Sequence, residues 1–166
     1  VDATYYGGSV AHVVNFPGLT EGVWLAWSGN TLYAWNATQG KWTIFLRFGA
    51  VTGTTYTIDL GAPLWSNVIV KVKAKNTKIT DNYIGTTFQS CVRFEFINNG
   101  VADAGVGAMA FAPNVGLIQW GENSFVGAVS AELMYATVAG KKIGVPTWSQ
   151  LEAENFTQYP VPTPNQ

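Results

Sequence analysis

Apolar and polar side chains alternate along much of this chain with a period of two, and the runs are cut at intervals by Gly, Asn and Pro. That is the pattern of antiparallel sheet, where successive side chains point to opposite faces. NVIVKVKAK is the plainest case: Val68, Val70, Val72 and Ala74 fall on one face, Ile69, Lys71, Lys73 and Lys75 on the other. One face packs and the other meets water. FQSCVRFEF follows the same alternation, placing Phe88, Val92, Phe94 and Phe96 inward and Gln89, Cys91, Arg93 and Glu95 outward. Helical periodicity is nearly absent. The expected fold is all-β: a curled antiparallel sheet, as β-sandwich or open barrel, over residues 1–144. A Pro-rich C-terminal tail, 145–166, follows.

Turn chemistry divides the strands. In MAFAPNVGLIQW, Pro113 presets φ for a corner, Asn114 tolerates the next position and Gly116 can take the positive φ of a bulged hairpin, which makes 108–112 and 117–120 its arms. VGAVSAELMYATVAGKKIG predicts one long strand over about 126–138 and a turn at Gly140. VWLAWSGNTLYAWNATQGKW reads as two hairpins in series, the first closing at Ser28-Gly29-Asn30 and the second around 37–40. With Trp27 opposite Thr31, the residues Val23, Leu25, Trp27, Tyr33 and Trp35 share a face, and Trp24, Ala26, Leu32 and Ala34 take the other. Neither face is polar, so the ribbon lies between two layers or presents an aromatic platform. Part of it is similar to the strand pair of a β-propeller blade, but a propeller needs several copies and the chain holds one.

After Gly144 the texture changes. VPTWSQLEAENFTQYPVPTPNQ carries Pro146, Pro160, Pro162 and Pro164, and only SQLEAENF supports a short helix, with Ser149 as cap and Glu152 at the capping-box position. Trp148, Leu151, Phe156 and Tyr159 in this tail need a surface to cover.

The chain has 166 residues, enough for one domain with a core that needs no staple. Charged residues make up only 11%, against about 25% in ordinary soluble domains. Thr, Asn, Ser, Gln and Gly supply the polar surface instead, a balance met more often outside the cell. Net charge is −1 and the nine Lys and Arg form no run, so nucleic acid is not an expected partner. No segment approaches the ~18 apolar residues of a membrane span. The chain opens on Val1, so a preceding segment such as a cleaved signal peptide is expected. A single cysteine, Cys91, excludes an internal disulfide.

Four ordered motifs carry a family resemblance: VTGTTYTIDLG, TTFQSCVRFEF, FAPNVGLIQW and ELMYATVAGKKIG. Over about 48–144 the chain resembles a group of secreted bacterial β-sheet domains often found in lipoproteins or beside other extracellular modules. Its pattern runs VGTxYxxDLG, TFxxC, FAPGVGLV, ELxxAxVxGKxIG. Asn114 stands where the group usually has Gly, a change a turn tolerates. The resemblance implies a curled sheet like the open barrels of lipoprotein carriers, an extracytoplasmic location, and no catalytic residues to transfer.

Candidate chemistry is sparse. His12 is the only histidine, so His-based metal sites and triads lack raw material. Glu95 and Glu132 on separate strands would suit a glycosidase only with carboxyls about 5–9 Å apart, and Arg93, Lys71 and Lys73 stand ready to neutralise them. Asp103 reads as a turn residue, and no carboxylate cluster suits calcium. Cys91 reads as a small semi-buried strand residue. The sequons at Asn36 and Asn155 matter only in a eukaryotic secretory pathway.

These readings predict a non-catalytic extracytoplasmic binding or structural module that docks on a larger protein assembly. Its candidate contact residues are Trp27, Tyr33 and Trp35 of the ribbon and Trp148, Phe156 and Tyr159 of the tail. The first alternative is a carbohydrate-binding module that stacks a polysaccharide on Trp27, Tyr33 and Trp35. The second, drawn from the resemblance, is a carrier of lipid or another apolar ligand. No cofactor and no metal are expected.

Overall fold

The computed structural model describes residues 10–13, 19, 22–98, 104–124, 127–133, 135–138 and 141–144. Their architecture is all-β, as the alternation predicts. The tail, with Trp148, Phe156 and Tyr159, its short helix and Asn155, lies outside the described residues, as does Asp103.

The smaller of two packed sheets holds β1 (Val10–Val13), β2 (Val23–Ser28), β3 (Thr31–Asn36) and β4 (Lys41–Arg47), in that order. The larger holds β5 (Thr55–Ile58), β6 (Val68–Asp81), β7 (Thr86–Asn98), β8 (Ala104–Ala112), β9 (Gly116–Ser124) and β10 (Gly127–Glu132), again paired in chain order. A separate hairpin pairs β11 (Tyr135–Val138) with β12 (Lys141–Gly144). Every ladder among the described strands is antiparallel. Among the described residues the two sheets form an open sandwich and close no barrel.

The space between them is filled by side chains. Ala34, Phe45 and Leu46 from the small sheet meet Val70, Val72 and Phe94 from the large one, all at 0% exposure. A 3-10 turn, Pro63–Trp65, drops Trp65 into this core, where its ring meets Phe45 at 5.6 Å and Phe96 at 5.4 Å, both edge-on. Phe48 bridges to Phe94 and Phe111 at 5.1 and 5.2 Å in the same geometry. Each such buried ring contributes about 1.5–3 kcal/mol through its area, and the edge-on pairs add to that.

Polar bonds join the sheets where the chain crosses from β4 to β5. The Tyr56 hydroxyl accepts from the Arg47 amide (2.9 Å) and donates to the Phe45 carbonyl (3.2 Å), while the Arg47 guanidinium sits 5.0 Å over its ring. At the far end Asn36, fully buried, donates to the Asp59 carbonyl (3.1 Å) and accepts from the Gln39 amide (2.9 Å). Thr38 donates to the Gly61 carbonyl (2.9 Å). Gly61 has φ of 76° and packs so closely on Asn36 and Thr38 that a Cβ there would overlap the Asn36 amide.

Two strand readings need correction. Alternation puts Phe88 on the face of Phe94 and Phe96, yet Ser90 and Asn76, on paired strands, both take positive φ (54°), and the β6–β7 register shifts around them. Each bulge swaps faces. Phe88 therefore joins Cys91 on the outward side of the large sheet, in a second core with Ala110, Ala112 and Ile118. Cys91 does point outward, but it is fully buried there beneath Ile79, Ile84, Leu133 and Ile143. The long strand over 126–138 is also broken. The Leu133 amide makes a last bond to the Ile118 carbonyl (2.9 Å), its side chain packs on the second core, and the chain then leaves β9 to form β11. The Pro113 hairpin stands as read: Ala112 pairs with Gly116, Asn114 has φ of 59° and Gly116 has φ of 100°.

Candidate functional site

The aromatic ribbon is present, but its faces are divided differently. The β2–β3 loop has two residues rather than three: Ser28 pairs with Thr31, and Trp27 faces Leu32 instead of Thr31. A one-residue slip exchanges the faces of a whole strand. Trp27 therefore shares the inner face with Leu32 and Ala34 and leans on Phe48 at 4.8 Å, 38% exposed at the mouth of the sandwich. Tyr33 and Trp35 lie on the outward face with Trp24, Ala26, Trp42 and Ile44. Trp35 meets Trp42 edge-on at 5.5 Å. The outward group is half-buried except for Trp42 and Ala26, which are buried. Trp27, Tyr33 and Trp35 thus form no single row on which a glycan chain could stack.

Among the described residues a concavity of about 290 Å³ lies on the outward face of the large sheet. Register explains it. Arg93 pairs with Ala110, Ala110 with Gln119 and Gln119 with Glu132, so four strands contribute one row. The row beside it runs Glu95, Ala108, Gly121, Ser130. Ala110 in one row and Ala108 and Gly121 in the other leave a low floor, with Arg93 on one side and Gln119, Glu132 and Ser130 on the other. Glu132 is held from two sides: Gln119 Nε2 donates to one oxygen (3.1 Å) and the Asn82 amide to the other (3.0 Å). The Asn82 loop is itself held by buried Asp81, whose Oδ1 accepts from the amides of Tyr83 (2.9 Å) and Ile84 (3.1 Å).

Glu95 and Glu132 lie in different rows of the sheet, and each is engaged with another partner. Three strand spacings separate β7 from β10, about 14 Å. Glu95 is tied to Lys73 at 3.3 Å, and Glu132 is occupied as described. The sequence showed neither row, because which Ala, Gly or Gln stands beside which charge depends on four registers at once. The nearest signal was the outward parity of Arg93 and Glu95.

Among the described residues no group of His, Cys, Asp and Glu could hold a metal ion. Burial pushes the Cys91 thiol up, with the backbone at Ile79 pulling it back in part, the opposite of what a reactive thiolate needs. Burial likewise pushes the Tyr56 hydroxyl up to about 12, against the pull of the Arg47 amide and guanidinium. Asn36 is buried and bonded through its amide, so its sequon offers no acceptor in the folded chain. No described helix is long and apolar enough to cross a membrane.

Compared with known proteins, the chain matches no family model, no curated sequence and no solved structure.

Proposed function

We propose that the chain is a non-catalytic binding module that works outside the cytoplasm and docks on a larger protein assembly. The observation that carries this reading is that the small sheet has large apolar side chains on both faces. Its inner face supplies the core, yet Tyr33, Trp35 and Ile44 on the outward face are only half-buried and Trp27 stands 38% exposed at the rim. Aromatic side chains at such positions are the usual anchors of protein contacts, because one end is apolar and the other tolerates water. Low charge and the resemblance to secreted β-sheet domains support the location. Cys91 and Glu132, the described groups best suited to chemistry, are engaged in packing and hydrogen bonds, in keeping with recognition rather than turnover.

A pair of measurements on Trp35→Ala tests the docking role. Urea unfolding should show a loss of about 1 kcal/mol, because a half-buried ring gives up only part of its transfer free energy. Cross-linking in the envelope of the producing cell should lose the adducts that the wild-type chain forms. A loss of about 3–5 kcal/mol with adducts unchanged would make this face part of the chain's own core.

A further inference from the structure

We propose that the concavity on the outward face of the large sheet binds an acidic monosaccharide unit, a pyranose carrying one carboxylate. The site goes beyond the docking reading and is independent of it, since it lies on the other sheet.

Its two ends have opposite chemistry. At one end the Arg93 side chain is exposed. The acid nearest to it in sequence, Glu95, is taken by Lys73 at 3.3 Å, and among the described residues no carboxylate pairs with Arg93. A guanidinium left open beside a cavity offers a planar fork of donors that fits a carboxylate through two parallel bonds. At the other end Glu132 is held by Gln119 and the Asn82 amide at 3.1 and 3.0 Å, which orients its carboxylate while leaving lone pairs to accept from a ligand. The Gln119 carbonyl oxygen adds a further acceptor. Hydroxyl groups satisfy these acceptors, and a second carboxylate there would be repelled. The ligand is therefore anionic at one end and rich in hydroxyls at the other.

The floor adds shape. Ala108 presents a methyl group and Gly121 bare backbone, with the backbone of buried Ala110 beside them, a low surface on which the C–H face of a pyranose can lie. The volume of about 290 Å³ stands at the low end of the ~300–1,000 Å³ of small-molecule pockets, room for one ring rather than a chain. Backbone groups of β8 and β9 are committed to ladders on both sides, so a peptide cannot add here as an extra strand. Side chains do the reading.

Titration of the full chain with glucuronate, followed by amide chemical shifts, tests the site. Shifts should concentrate at 108–110 and 119–121 with a millimolar dissociation constant, and glucose and acetate should each bind about tenfold more weakly or worse. Arg93→Ala should weaken glucuronate about tenfold or more, and Arg93→Lys nearly as much, because a point charge does not replace the fork. Ala108→Leu should block the floor. Arg93 is exposed, so its variants keep the test standing should Ala108→Leu fail to fold. No shift up to about 50 mM glucuronate overturns the proposal. So does equal binding of acetate, which would make Arg93 a bare anion contact, or tighter binding of an N-acetylated dipeptide through its terminal carboxylate. None of these results bears on the Trp35→Ala measurement.

Discussion

Gly61 provides the sharpest test of how the two sheets are joined. A methyl group at this position has two costs. The backbone holds φ of 76°, which an L-residue occupies at about 1–2 kcal/mol. The methyl would also overlap the Asn36 Oδ1 and stand 2.9 Å from both Asn36 Cγ and Thr38 Oγ1. Asn36 cannot step aside freely, because it is fully buried and its amide bonds the Asp59 carbonyl and the Gln39 amide. Losing one of those bonds while leaving its partner buried costs about 1–3 kcal/mol more. Gly61→Ala should therefore destabilise the chain by about 2–5 kcal/mol, a large share of the 5–15 kcal/mol typical of a domain. Urea unfolding followed by tryptophan emission reads the loss as a lower midpoint at unchanged slope. A double-mutant cycle separates the two costs. In an Asn36→Ala background the overlap with Asn36 is gone and only the exposed Thr38 hydroxyl has to give way, so the same substitution should cost about 1–2 kcal/mol, giving a coupling of about 1–3 kcal/mol. A loss below about 1 kcal/mol in the wild-type chain, or strict additivity, would refute the close approach of Gly61 to Asn36.

Two further predictions concern titratable groups. Tyr56 ionises near 12 in the folded chain and near 10 when unfolded, so its contribution is complete below pH 10 and is lost as pH rises toward 12. After allowance for solvent screening at a half-buried site this amounts to about 1–2 kcal/mol, and it should vanish from the difference between wild type and Tyr56→Phe in alkaline urea titrations. Cys91, fully buried with its thiol pushed up, should not react with a thiol reagent at neutral pH until urea unfolds the chain, and rapid labelling of native protein would contradict the second core.

Most of the strands were legible because their faces differ in polarity. Lys71 and Lys73 against Val70 and Val72 leave only one way to orient β6, and Pro113, Asn114 and Gly116 mark their turn by backbone preference alone. The reading failed where alternation no longer carried phase. Trp27, Tyr33 and Trp35 stand among apolar residues on both faces, so nothing but the length of the Gly29-Asn30 loop sets which of them look the same way. Ser90 and Asn76 are unremarkable in sequence, and their positive φ emerges only when two strands have to bend together. The concavity was hidden for a related reason. Ala108, Ala110 and Gly121 acquire meaning as a floor only once Arg93 and Glu132 are known to flank them.

The pairing of each strand with its neighbour in the chain bears on kinetics. Greek-key sandwiches must hold distant segments together before any ladder forms, and they fold slowly for that reason. Here each described ladder in the two packed sheets joins consecutive strands, and loop-closure entropy is met in small instalments. Hairpins can therefore form in succession as a chain emerges from a ribosome or a translocation channel. The slow event is then the docking of the two sheets across the Asn36 and Tyr56 junctions, not the growth of either one.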